Sequence, residues 1–184
     1  MLRRLTLGLT VILLPFATAQ LVTAPVAEAA PSAVTLHYDA SDLPDYQAET
    51  VQAVANWNGL EHNVQLSAGG GATILLHEVS GGGSYTQTDG HGNGDIYIDT
   101  QQVAEGFDPT RIIAHEFGHN LGLPDDYSGP CTEVMSGHGP GTSCKNAVPD
   151  AQEAAQVDQN FANGFAAVGT HRVMADRDRA AVRY

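Results

Sequence analysis

The stretch AHEFGHNLGLPDDYSGPC, from Ala114 to Cys131, constrains the chain more than any other. Just before it, Asp108-Pro109 is a strong helix start, with Asp at the N-cap and Pro at the first helical position, where its missing N–H costs nothing. Ile112, Ile113, Phe117 and Leu121 supply an apolar stripe and Gly122 a C-terminal stop, which predicts one helix over 109–121. His115 and His119 are four residues apart, so both imidazoles share one face and can reach one tetrahedral Zn²⁺. A catalytic zinc takes three protein ligands and keeps one position open. Gly122 lets the backbone bend sharply, and Asp125, six residues beyond His119, is placed to swing back as the third ligand. Asp126 competes for that role but stands one residue late in register. Glu116, beside rather than within the ligand set, is placed to take a proton from water at the metal.

The remainder of the 184 residues bounds the setting in which such a site works. Arg3 and Arg4 precede an apolar run, Leu5 to Phe16, too short to span a bilayer, which needs about 20 residues. Small-residue cleavage sites follow at Ala17-Thr18-Ala19 and Ala27-Glu28-Ala29; the second has the more polar approach, so residues 1–29 are expected to be a secretory signal peptide and the product to be extracellular. Between Ala30 and Gly164 only Arg111 and Lys145 are basic, against eighteen Asp and Glu, a net of −16. Such a surface repels nucleic acid and anionic membranes, so neither is expected as a partner. Cys131 and Cys144 both fall in the exported part, where an even pair is most simply one disulfide; two thiolate ligands are the alternative.

Hydrophobic periodicity organises the chain ahead of the helix. Val34–Tyr38, Val64–Leu66, Thr73–Val79 and Gly94–Thr100 read as strands, and Tyr46–Leu60 as an amphipathic helix ended by Asn58-Gly59. Gly69–Gly71 and Gly81–Gly83 are loops. Asp89 to Asp95 superficially suggests a calcium loop, but it lacks the terminal Glu and flanking helices of an EF-hand and reads as a turn into the next strand. Residues 165–184 hold four of the eight basic residues, and Arg177–Tyr184 reads as a short helix or a disordered tail. The other six histidines are scattered, and each reads as surface or core.

The whole motif resembles the metzincin metalloproteases, whose third ligand is usually histidine. Aspartate in that place, followed by PDxYSGPC and a short Cys-bracketed loop, resembles the snapalysin family of small secreted neutral metalloproteases. The likeness runs from about Val34 to Gly164 and includes SYTQTDGHGNG at 84–94. It implies an α+β fold of metzincin type: a small twisted mixed sheet, an N-terminal helix, the HExxH helix and a C-terminal helix, with residues 30–164 as the catalytic domain. It also implies zinc on His115, His119 and Asp125, Glu116 as catalytic base, Met135 as the methionine turn beneath the metal, and a Cys131–Cys144 disulfide. Asp108 and Thr110 match positions that bind calcium in the family, although an N-cap Asp and a first-turn Thr account for both. The tail after Gly164 lies beyond the family's usual end, and almost no propeptide fits before Val34.

Tyr127 admits two readings: its hydroxyl donates to the oxyanion of a tetrahedral intermediate, or its ring packs against the methionine-turn loop. The chain is thus expected to be a monomeric zinc endopeptidase acting on proteins or peptides, with the family's preference for an aromatic residue just after the cut. The rival from another class is a secreted metal-binding module without catalysis. Glu116 argues against it, because a purely structural site has no need of a base beside its ligands.

Overall fold

The structure is a computed structural model and describes residues 32–162. The expected signal at 1–29 and the tail at 165–184 lie outside these residues. Five strands form one sheet in the order β2-β1-β3-β5-β4, where β1 is Val34–Asp42, β2 Val64–Ala68, β3 Ile74–Val79, β4 Tyr85–Thr88 and β5 Gly94–Asp99. All neighbours pair in parallel except β4, which runs antiparallel to β5 at the edge. Four helices accompany the sheet: α1 Gln47–Asn58, α2 Thr100–Ala104, α3 Pro109–Asn120 and α4 Ala151–Asn160.

The strand alternation seen in sequence is the alternation of burial. Leu36, Leu66, Ile74, Leu76, Ile96 and Ile98 project into the core, where they join Ala53, Val54 and Trp57 of α1 and Ile113 and Phe117 of α3. Tyr38 meets Phe117 edge-on, with ring centroids 5.7 Å apart. Trp57 ties the two helices together: it is fully buried, and its indole N–H donates to the Ala114 carbonyl of α3 at 2.9 Å. That bond lies one residue before His115, so the position of the metal-site helix depends on the packing of α1.

Several element ends differ from expectation by a few residues, and one strand was not expected; three of these differences have visible reasons. β1 continues past Tyr38 to Asp42 because β3 pairs with its polar end, across an irregularity in register between Asp39 and Asp42. β5 stops at Asp99 because that carboxylate caps α2, accepting the Gln101 N–H at 2.9 Å, and gathers the Gly81 and Gly83 N–H groups of the preceding loop. Tyr85–Thr88 is too short to show a period, and becomes a strand only because β5 lies beside it. The C-terminal helix is present as α4, opened by a reciprocal capping box between Asp150 and Glu153. Asp89 spends its carboxylate on His91 and Asn93 within its own turn, as expected of a loop leading into β5.

Trp57→Phe keeps an aromatic ring but removes the indole's hydrogen bond to the Ala114 carbonyl and leaves a void beside α3. It should lower unfolding free energy by about 2–3 kcal/mol in urea titration, and weaken metal retention in dialysis more than Val51→Ala, a change at an exposed position of the same helix.

Candidate metal centre

α3 is held at its start by Asp108, whose Oδ1 accepts the Arg111 N–H at 3.0 Å, with Pro109 in the first turn. At its other end Gly122 adopts φ +90°, and the Leu123 N–H returns to the Gly118 carbonyl at 2.9 Å. A side chain at Gly122 would be strained by that φ and would also meet Asn160 and the Gly90 carbonyl. This turn brings Asp125 back beneath the helix end.

The three residues singled out by spacing converge. His115 Nε2 and His119 Nε2 are 3.2 Å apart, and Asp125 Oδ1 stands 3.1 Å from the first and 3.4 Å from the second. Ligand atoms about 2.0–2.1 Å from a tetrahedral zinc are about 3.3 Å from each other, so all three separations fit one ion. Both imidazoles are oriented for this. His115 Nδ1 donates to the Val134 carbonyl at 3.1 Å and His119 Nδ1 to the Leu123 carbonyl at 2.9 Å, which leaves both Nε2 lone pairs facing the shared point. Among the described residues this is the one group of three or more His, Cys, Asp or Glu side chains close enough to hold a metal.

The electrostatics favour a cation there. Burial works against Asp125 as an anion, yet its contacts with His115 and His119 hold its carboxyl well below the usual carboxylate range. Burial likewise lowers His119, but Asp125, with Glu116, outweighs it and pushes the ring up to about 9. Asp126 lies outside the cluster: its N–H donates to the Met135 carbonyl at 2.8 Å and its carboxylate accepts the Ser128 hydroxyl.

Glu116 is 1 % exposed. Its Oε2 accepts the Thr86 hydroxyl of β4 at 2.7 Å, while Oε1 is buried with no partner among the described residues. Burial raises its proton affinity; His115, His119 and the Thr86 hydroxyl pull the other way. One oxygen is thus tethered and the other is available for chemistry.

Met135 sits in a 3-10 turn, Val134–Ser136, against α3. Gly118 makes this approach possible, since a Cβ there would run into the Met135 sulfur. The turn is suspended from α4: Glu153 accepts the Val134 and Met135 N–H groups at 3.1 and 2.6 Å. Tyr127 is brought beside the cluster, its ring tilted on His138 at 4.5 Å and bordering Gly137 together with His115. Cys131 and Cys144 form a disulfide across this loop, with Cα atoms 5.6 Å apart. Asp108 acts as the N-cap of α3, and Thr110 lies in its first turn.

Sequence reasoning missed Arg111. It lies one turn before His115 and is 5 % exposed, with its guanidinium donating to the carbonyls of Glu133, Gly137, Asn146 and Cys131 and to the Ser136 hydroxyl. It binds the loop that carries Met135 and the disulfide to the metal helix. The available signal was its rarity, as one of two cations in an acidic body and on the same helix face as His115. Thr86 was equally invisible, since nothing local links it to a residue thirty positions away.

A helix bearing a His/His/Asp cluster able to hold a metal, set against a mixed sheet with helices on its N- and C-terminal sides, matches the metzincin-like fold of zinc metalloendopeptidases. Residues 33–164 match the model of the Streptomyces extracellular neutral proteinase (M7) family, and the chain belongs to that family. It is 52 % identical over 132 residues to an extracellular small neutral protease of Streptomyces caespitosus, covering 71 % of this chain and 99 % of that relative. Two further proteins of the same description, from Streptomyces sp. (strain C5) and Streptomyces coelicolor, are 47 % and 46 % identical over 138 and 135 residues. These alignments take in 74 % and 73 % of this chain and 60 % and 62 % of those two relatives.

Replacing Arg111 with Met keeps the apolar stem but strips several carbonyls of their donor. The variant should unfold about 3 kcal/mol more easily, and its 132–146 amides should exchange hydrogen faster, as mass spectrometry would record. Unchanged exchange in that loop would mean that the disulfide alone holds it.

Proposed function

We propose that the protein is a secreted zinc endopeptidase in which His115, His119 and Asp125 hold the metal and Glu116 is the general base. The observation that carries this is Glu116 itself: a carboxylate buried beside three converging ligand atoms, with one oxygen tethered and the other unpartnered. Zinc, when bound, lowers the pKa of a water molecule to about 7 and polarises the scissile carbonyl. Glu116 Oε1 takes the proton of the attacking water and returns it to the leaving amine nitrogen. Its raised proton affinity suits both transfers, because the group must hold the proton between them. Thr86 keeps Oε2 fixed, so the transferred proton has one address. Since Thr86 lies on the edge strand β4, an extended peptide pairing along that edge would pass beside the base.

Tyr127 is proposed to donate its hydroxyl to the developing oxyanion, a reading supported by its ring lying next to His115 across Gly137. The family's preference for an aromatic residue after the cut is supported by a cavity beside His115 and Glu116 whose lining includes Phe107 and Ile112. Residues 1–29 are proposed as the export signal and 30–164 as the catalytic domain; residues 165–184 receive no function. The working form is proposed to be a monomer acting on proteins or peptides, without nucleic acid or stable membrane association; no helix among the described residues is long and apolar enough to cross a membrane. Calcium at Asp108 and Thr110 rests on family resemblance, and would have to use Asp108 Oδ2, since Oδ1 is engaged as a cap. A non-catalytic metal-binding module is disfavoured because Glu116, buried beside the three converging ligand atoms but outside their set, has no part to play in a purely structural site.

Glu116→Gln should retain stoichiometric zinc while casein hydrolysis falls by at least about a thousandfold. Metal content and turnover measured on the same preparation check it; a tenth of the normal rate would remove the residue from the base role. Asp125→Ala should lose zinc under mild dialysis whereas Asp126→Ala keeps it, and the reverse would move the third ligand by one residue.

A further inference from the structure

We infer that Asn160, on α4, is a positioning residue for the metal centre: it holds the Gly122 turn in the shape that returns Asp125 and orients His119, and so sets the affinity for zinc. This rests on the ligand assignment proposed above and adds a residue that supplies no ligand. Asn160 Nδ2 donates to the Leu121 carbonyl at 2.9 Å. Its Oδ1 accepts from Gln156 Nε2, one turn earlier on the same helix, at 3.0 Å. A carbonyl only accepts, so the NH₂ side of the Asn160 amide is the side that faces Leu121. The amide also lies against Gly122, the residue at φ +90°: a Cβ there would stand 2.7 Å from Asn160 Nδ2 and 2.9 Å from the Gly90 carbonyl.

Two parts of the metal centre depend on this turn. The Leu123 carbonyl accepts from His119 Nδ1 at 2.9 Å, and Asp125, two residues on, places Oδ1 3.1 Å from His115 Nε2. The Leu123 and Asp126 N–H groups tie the segment to the Gly118 and Met135 carbonyls. Met135 hangs in turn from Glu153, which accepts its N–H at 2.6 Å. Glu153 and Asn160 are seven residues apart, so they share one face of α4 and stand about 10 Å apart along it. α4 therefore grips the ligand segment on both sides of Asp125. Asn160 acts before it, at Leu121, and Glu153 acts after it, through Met135 and Asp126. Without the earlier grip the glycine, which has more conformational freedom than any other residue, lets the turn shift and Asp125 with it. Loss of an outer partner that orients ligands weakens metal binding by about 10–100-fold.

The test measures zinc affinity, by competition with a chromophoric chelator, on the wild type, Asn160→Leu and Asn160→Ala. Both substitutions remove the donor, the first with a side chain of the same branched shape and the second with no steric conflict, so that if one variant does not fold the other decides. Each should raise the Kd for zinc about tenfold or more. The visible absorption of the cobalt-loaded protein, which reports coordination geometry, should change in both. Asn63→Ala is the control, because it removes a different bond to the same stretch of α4, from Asn63 Nδ2 to the Asp158 carbonyl at 2.7 Å. It should lower Tm yet leave Kd within about twofold of the wild type and the cobalt spectrum unchanged. An unchanged Kd in the Asn160 variants, or an equal rise in Asn63→Ala, would overturn the assignment. Equal affinities in proteins that all cleave casein would overturn it while the peptidase reading stands. The expected series of affinities in a protein that leaves casein intact would overturn the peptidase reading and leave the role of Asn160 standing. A wild type that takes up no zinc would overturn both.

Discussion

α3 carries Arg111, His115 and Glu116 into the interior, where groups of the neighbouring elements answer most of their polar atoms. An unanswered donor or charge at such depth costs several kcal/mol, so the surrounding elements are arranged around these partners. The 131–146 loop supplies carbonyls to Arg111 and, from its Val134–Ser136 turn, a carbonyl to His115, and β4 supplies a hydroxyl to Glu116. The same bonds that satisfy burial also orient the two imidazoles and tether one oxygen of the base. Stability and site geometry are therefore two consequences of one set of contacts.

The loop beneath the metal has few apolar residues of its own; it is held by what reaches it from outside. Arg111 grips it from α3, Glu153 from α4 and the Cys131–Cys144 bridge across its width. Both charged side chains are engaged chiefly with backbone groups, which suits a segment whose conformation, more than its side chains, sets the position of Met135 and the Val134 carbonyl. Glu153 acts twice, capping its own helix and carrying the turn, so the C-terminal helix belongs to the site although it contributes no ligand.

On the opposite side of the cleft, a second polar assembly performs the corresponding task. Asp99 ends β5, caps α2 and collects the glycine loop that leads into the edge strand, while Ser84 and Gln102 lock across it. The cavity beside the metal lies between this assembly and α3, bounded by Gln102 from one and by Ile112 and Glu116 from the other. Edge strand, base and pocket are thereby positioned by buried hydrogen bonds in which glycine and aspartate replace apolar packing.

The sequence by itself determined whatever is written in local period and spacing: the helix over 109–121 to within one residue, the convergence of His115, His119 and Asp125, rather than Asp126, from the intervals around Gly122, and the strand pattern from alternation. A helix places i and i+4 on one face whatever surrounds it, and a glycine at positive φ turns the chain wherever it falls, so those features survive without tertiary context. Only the tertiary structure decided that Tyr85–Thr88 is an edge strand, that Thr86 tethers Glu116, that Arg111 is a buried clamp and that Gln102 is locked to Ser84. Each of those depends on partners 6 to 35 positions away, and a polar side chain reads as surface until the groups that satisfy it are brought alongside.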